Sequence, residues 1–194
     1  MKRRVLLSIL YLFALVIGLG ATWFALKRVG LEGVTAGAWR SDLLAGSEDA
    51  GPYTRARIAV NAVLALDRSE TIYFLATHDD QGKPLRAECH YRLAGVAPNA
   101  AWWSITAYAA DNFLFPVESH RYSISGDSLN VTTGETFEAK IGPKANNADI
   151  APDIETAGSG ELRLTLRLYK PDAALQKNPA SLQAPSIELV EACL

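Results

Sequence analysis

The sequence predicts a mainly β domain, an antiparallel β-sandwich or jelly roll with one packed helix, carried behind a single membrane-spanning helix. Three observations carry this prediction. An uncharged run, VLLSILYLFALVIGLGATWFAL, fills Val5 to Leu26. Helical spacing occupies Tyr53 to Leu66 and gives way to a period of two after Asp67-Arg68-Ser69. Many short alternating runs come next, separated by turn residues, which is the pattern of sandwiches and jelly rolls.

The apolar run holds 22 residues. At about 1.5 Å per residue it crosses a hydrocarbon core of about 30 Å. A cleaved signal peptide has an apolar region of only about 7–15 residues. The nearest small-x-small site here, Ala36-Gly37-Ala38, lies well beyond Leu26, behind two basic residues and a glycine-rich stretch. A buried core helix is disfavoured because the run is apolar on every face and ends in basic clusters. Residues 1–28 therefore read as an uncleaved anchor whose partner is the lipid bilayer, through residues 5–26. Lys2, Arg3 and Arg4 before the span outnumber Lys27 and Arg28 behind it, which places the amino terminus in the cytoplasm and the rest outside.

The anchor masks the charge of the remaining chain. The whole protein has a net charge of −2, but five of its 19 Lys and Arg and none of its 21 acids lie in residues 1–28. The remainder carries −7. A domain this acidic, with no basic stripe, is not a nucleic-acid binder.

Residues 29–52 are rich in Gly, Ala, Ser and acids, and read as a juxtamembrane linker with a turn of helix around Trp39 to Leu44. The domain then runs over residues 53–194. In YTRARIAVNAVLAL, Ile58, Ala62, Ala65 and Leu66 share one face, which predicts a helix packed on a sheet. TIYFLATH reads as a strand, DDQG as a turn and KPLRAECHYRL as the returning strand. WWSITAYA, RYSIS, SLNVTT and FEAKI add four short strands. In ELRLTLRLY, Leu162, Leu164, Leu166 and Leu168 point one way while Arg163, Thr165 and Arg167 point the other. Residues 142–160 have no periodicity and read as disordered surface or a lid.

Cys89 stands beside His90, which raises the question of a nucleophile and its base. Strand neighbours point to opposite faces, so Cys89 joins Ala87, Tyr91 and Leu93 while His90 joins Arg86, Glu88 and Arg92. Pairing Ile72, Phe74 and Ala76 with Cys89, Ala87 and Leu85 buries both apolar faces. Cys89 is then a buried thiol or half of a disulfide with Cys193. His78-Asp79-Asp80 at the hairpin tip, with His90 as a further donor, is a weak metal candidate, since Asp-Asp-Gln-Gly is also a good turn.

The second face of WWSITAYA presents Trp102, Ser104, Thr106 and Tyr108. Alternating aromatics and hydroxyls form a ligand platform, for instance for sugars, or simply a packed sheet face. Arg121, between His120 and Tyr122, is an anion-binding candidate or the partner of an acid at a sheet edge. No nucleophile-elbow, zinc-protease, P-loop or dinucleotide pattern occurs, so no cofactor is expected. The sequon at Asn130-Val131-Thr132 matters only in a eukaryotic secretory setting.

Taken together, YTRARIA at Tyr53, IYFLATHDDQGKPL at Ile72, WWSITAY at Trp102, RYSI at Arg121 and LTLRLYKP at Leu164 resemble the family catalogued as domain of unknown function 1214. The resemblance covers Tyr53 to Pro171. It implies a bacterial protein, a jelly-roll β-sandwich and the short form behind one membrane anchor. It implies no catalytic residues. Val117 stands where the family often has an asparagine, and ANNADIAPDI replaces its Asn-Trp-Leu-Pro. The resulting expectation is a single-pass bacterial inner-membrane protein with a periplasmic module that binds an envelope protein or glycan. The alternative is an enzyme acting on a small polar or carbohydrate-like substrate at the Trp102 and Tyr108 face, with Thr106, Arg121 and His90 as further ligand contacts.

Overall fold

The computed structural model describes residues 2–28, 33–42, 44–60, 65–144, 151–191 and 193. The amino-terminal run forms α1 (Lys2–Arg28). Within it, Arg3–Ala25 is long and apolar enough to cross a membrane, and none of that stretch is buried against the rest of the protein. Next come β1 (Gly33–Ala36), β2 (Trp39–Asp42), α2 (Pro52–Val60), β3 (Thr71–Ala76), β4 (His90–Val96) and β5 (Ala100–Ala109). Then come β6 (Ser123–Ser125), α3 (Gly126–Leu129), β7 (Thr136–Pro143), β8 (Ile154–Thr156) and β9 (Leu162–Pro171). The chain closes with α4 (Ala173–Lys177), a 3-10 turn at Pro179–Ser181 and β10 (Ser186–Glu191).

The strands form two sheets. One has the order β1-β2-β3-β9-β5-β6, the other β10-β4-β7-β8. All pairings are antiparallel except β7 with β8, which is parallel. The alternation in β9 explains its central place. Its four leucines are fully buried between the sheets, with Phe74 and Ile105 beside them and Leu93, Ile141 and Ile187 from the other sheet. Each such side chain contributes about 1.5–3 kcal/mol when removed from water.

Several sequence expectations change here. Part of the expected linker is structural: β1 and β2 form a hairpin that joins the larger sheet, through Arg40 opposite Leu75. Trp39 is fully buried and donates its indole N–H to the Pro185 carbonyl at 2.7 Å. The helix around Trp39 is therefore a strand. A four-residue strand with one buried tryptophan is too short to show a period.

The hairpin forms only at its tip and one residue out of the expected register: His78 bridges Pro84 and the Leu85 N–H bonds the Thr77 carbonyl, so Leu85 stands opposite Thr77 and not Ala76. Beyond it the chain turns at residues 86–89 and crosses to the other sheet, so β3 pairs with β2 and β9 instead. Leu85, Ala87, Cys89, Tyr91 and Leu93 are all buried, as their alternation requires. Alternation marks the buried face but not the neighbouring strand, because both sheets face one core. The corner is held by the Thr156 hydroxyl on the Ala87 carbonyl at 2.6 Å and by a bond from Cys89 Sγ to Cys193 Sγ.

SLNVTT is not a strand. Ser125 and Ser128 form a reciprocal cap that starts α3, and Asn130 ends it in the left-handed region at φ 53°. Residues 154–156, in the stretch expected to be structureless, form β8; three consecutive buried residues leave no alternation to detect. Residues 145–150 of that stretch lie outside the described residues. Finally, α2 covers only the first part of the expected helix: Ala62 lies outside the described residues, and Ala65 and Leu66 are not helical. None of its described side chains is buried, and it touches α1.

Candidate functional site

The outer face of the six-stranded sheet is a groove of about 920 Å³. Strand register builds it in rows. Thr71, Tyr169 and Trp102 stand in one row, and Tyr73, Arg167 and Ser104 in the next. Leu75, Thr165 and Thr106 make the third, with Arg40 beside Leu75. Arg163 and Tyr108 close the series. These residues are the positions between the buried leucines and their counterparts on β3 and β5, so a period of two alone puts them on one surface. The β1–β2 turn and the His78–Pro84 hairpin rise as walls, and Leu66 adds an apolar contact.

Arg167 dominates the floor. Its Nη1 donates to the Thr106 hydroxyl at 3.1 Å and its Nη2 to the Tyr108 hydroxyl at 2.8 Å. Its guanidinium carbon lies 5.5 Å from the centre of the Tyr108 ring. Thr106 and Thr165 are buried beneath it. Arg163 donates to Asn112 at 2.9 Å and pairs with Glu161 at 3.0 Å. The groove thus gathers three arginines and three tyrosines against Glu161, inside an otherwise acidic domain.

The residues singled out from the sequence are distributed unevenly. Tyr108 lines the groove and Thr106 lies under Arg167. Trp102, 41% exposed, does not line the groove; its ring lies 5.2 Å from that of Tyr169, which does, and its indole N–H bonds Asp127 at 2.8 Å. Arg121 and His90 lie elsewhere. Arg121 pairs with Glu155 at 3.3 Å, beside β8. His90 is on the four-stranded sheet against Gly142, where an added Cβ would come within 2.5 Å of its Nδ1. The groove residues that sequence reasoning missed are Arg40, Tyr73, Arg167 and Tyr169. The signal for two of them was present, in the polar positions of LTLRLY, but β9 had no neighbours until the fold supplied β3 and β5.

At the hairpin tip, Asp79 accepts from the Gln81 and Lys83 N–H groups at 3.0 and 2.8 Å, and Asp80 accepts from the Ile187 N–H at 2.9 Å. His78 Nδ1 bonds the Thr77 hydroxyl at 2.9 Å. Each carboxylate thus serves the backbone. Among the described residues no group of three or more His, Cys, Asp or Glu side chains is placed to hold a metal ion.

Two carboxylates near the crossing corner have depressed pKa values. The Ser119 hydroxyl, then the Arg121 guanidinium, hold Glu155 below the usual range, although its burial opposes this. The Gly160 N–H, at 2.9 Å, does the same for Glu88. A carboxylate depressed in the folded state contributes stability above its unfolded pKa and loses it as pH falls through the folded one. The domain should therefore lose stability on acidification from about pH 4.5 downward. Glu155→Gln should lower stability at pH 7 by about 1–2 kcal/mol and flatten that acid limb, as read by urea denaturation across pH. An unchanged limb in the variant would remove Glu155 from this account.

The fold and groove together define a two-sheet, mainly β protein behind an apolar amino-terminal helix, with a ligand-sized groove on its larger sheet. The chain belongs to the family described as Protein of unknown function (DUF1214), whose profile matches residues 70–173. The chain is also similar to the VPA0106 protein from Vibrio parahaemolyticus, known from a crystal structure, with 21% identity and a TM-score of 0.58. The match covers 74% of this chain and 36% of that one, so the chain spans about a third of that protein's length. The likeness concerns the fold. No curated protein matches the sequence.

Proposed function

We propose that the chain is a single-pass protein of the bacterial inner membrane, with its amino terminus in the cytoplasm and a jelly-roll domain in the periplasm. The domain is a binding module that takes an envelope component into the groove on its larger sheet. The groove itself carries this reading. Its volume lies within the usual range of small-molecule sites, roughly 300–1,000 Å³. Its lining is rich in cationic donors and aromatic rings: Arg40, Arg163 and Arg167 with Tyr73, Tyr108 and Tyr169. The Cys89–Cys193 bond supports an oxidising compartment, and the flanking charges of the anchor support the orientation.

Native mass spectrometry of the full chain, taken from its own membranes into nanodiscs, tests the proposal. Leu75 faces the groove, and Leu75→Trp should fill it. The expected result is a bound small molecule on the wild type that the variant loses at unchanged melting temperature. A wild type without bound mass, together with a protein partner that is still captured by Leu75→Trp, would move the function away from the groove.

A further inference from the structure

We propose that the groove contains an oxyanion subsite centred on the Arg167 guanidinium, and that its ligand is a saccharide-sized molecule bearing a carboxylate or a phosphate. The inference rests on the binding-module reading and names the ligand class.

The arginines of the domain are not used alike. Arg86, Arg92, Arg121 and Arg163 each pair with a carboxylate within 3.4 Å. Arg167 is half-buried in the groove, and among the described residues no carboxylate lies within ion-pair distance of it. The domain has seven more acids than bases, so partners are abundant elsewhere on it. Burying an unneutralised cation costs free energy unless something compensates it. Two hydroxyls and the face of Tyr108 compensate in part.

Two of the five guanidinium N–H groups are engaged by Thr106 and Tyr108. The others remain for a planar or tetrahedral oxyanion, which a guanidinium binds through paired donors. The hydroxyls also hold the head group still, so little freedom is left to lose on binding. Arg40, exposed on β2 in the row beyond, adds a second cation on the same surface. Around this charge, Tyr73, Tyr108 and Tyr169 bring aromatic rings of the sort that pack against a sugar ring. A fatty anion would need a long apolar channel, and the floor carries threonines and arginines instead.

Binding of glucuronate, glucose 6-phosphate and neutral glucose to the full chain in nanodiscs, by isothermal titration calorimetry, tests this. The expected result is binding of at least one acid with no measurable binding of glucose, weakened by added salt. Which acid binds more tightly distinguishes carboxylate from phosphate. Arg167→Gln should weaken that binding at least about tenfold, and Arg167→Lys less, while the melting temperature without ligand stays within a few degrees. Should Arg167→Gln fail to fold, Arg40→Gln replaces it, and there a loss of affinity supports the subsite while unchanged affinity overturns it. Glucose binding as tightly as its acids, or wild-type affinity in Arg167→Gln, also overturns it. A neutral molecule on the membrane-purified protein, lost in Leu75→Trp, would overturn the oxyanion subsite and keep the binding module. Failure of all three probes, with no bound mass on that protein, overturns both.

Discussion

Trp39→Ala is expected to destabilise the domain by about 3–5 kcal/mol, enough to lower its melting temperature by about 10 °C or more. The reason lies in where the indole sits. Trp39 is on β2, at 0% exposure, in the same core as the β9 leucines. Its truncation leaves a cavity and removes the donor from the buried Pro185 carbonyl. The loss also reaches the groove, because Arg40 is the next residue on the same strand and faces the opposite way. Trp39→Phe separates the two contributions. It keeps most of the ring and should cost about 1–3 kcal/mol for the orphaned carbonyl and the lost volume. Urea denaturation of the full chain in detergent, monitored by tryptophan fluorescence and circular dichroism, reads both variants. If residues 33–42 were only a tether, Trp39→Ala would stay within about 0.5 kcal/mol of wild type.

Cys193→Ser is the second large effect. The bond from Cys89 to Cys193 spans a sequence separation of 104. Restraining so long a loop in the unfolded chain is worth about 4–5 kcal/mol in the chain-entropy account, and native bridges measure about 2–5 kcal/mol. The bridge also joins two elements that need each other. Glu191 on β10 pairs with His90 at the start of β4, one residue from Cys89, so the bond pins an edge strand to its neighbour. Cys193 is exposed whereas Cys89 is fully buried, so serine at 193 breaks the bond without placing a hydroxyl in the core. The variant should melt about 10 °C below wild type in the absence of reductant. With reductant the two should coincide, since both then lack the bond. Equal melting temperatures without reductant would mean that the bridge adds nothing to stability.

The corner at residues 86–89 ties these effects to the site. It receives hydrogen bonds from Thr156 and Gly160 and carries Cys89 at its end, where the chain leaves one sheet for the other. The hairpin that forms one wall of the groove lies immediately before it. Loosening the corner is therefore expected to blunt ligand binding even though no groove residue changes.

Much of this could be read from residue order. The uncharged run from Val5 to Leu26 required a helix that water does not favour, whatever the rest of the chain does. The period of two in LRLTLRLY fixed which residues are buried and which lie open, because pleating alternates side chains regardless of partners. The alternation of residues 86–93 likewise sets Cys89 and His90 on opposite faces, which argues against a dyad. The tertiary structure decided everything that depends on which strands are neighbours. It placed β9 between β3 and β5, so Arg167 met Tyr73, Thr106 and Tyr108, all distant from it in the chain. It sent the strand after the hairpin to the other sheet, drew Trp39 out of an expected linker, and left Arg121 and His90 away from the groove. A pattern of burial is local and survives in sequence. Pairing is a contest between strands for the same core, and only the folded chain settles it.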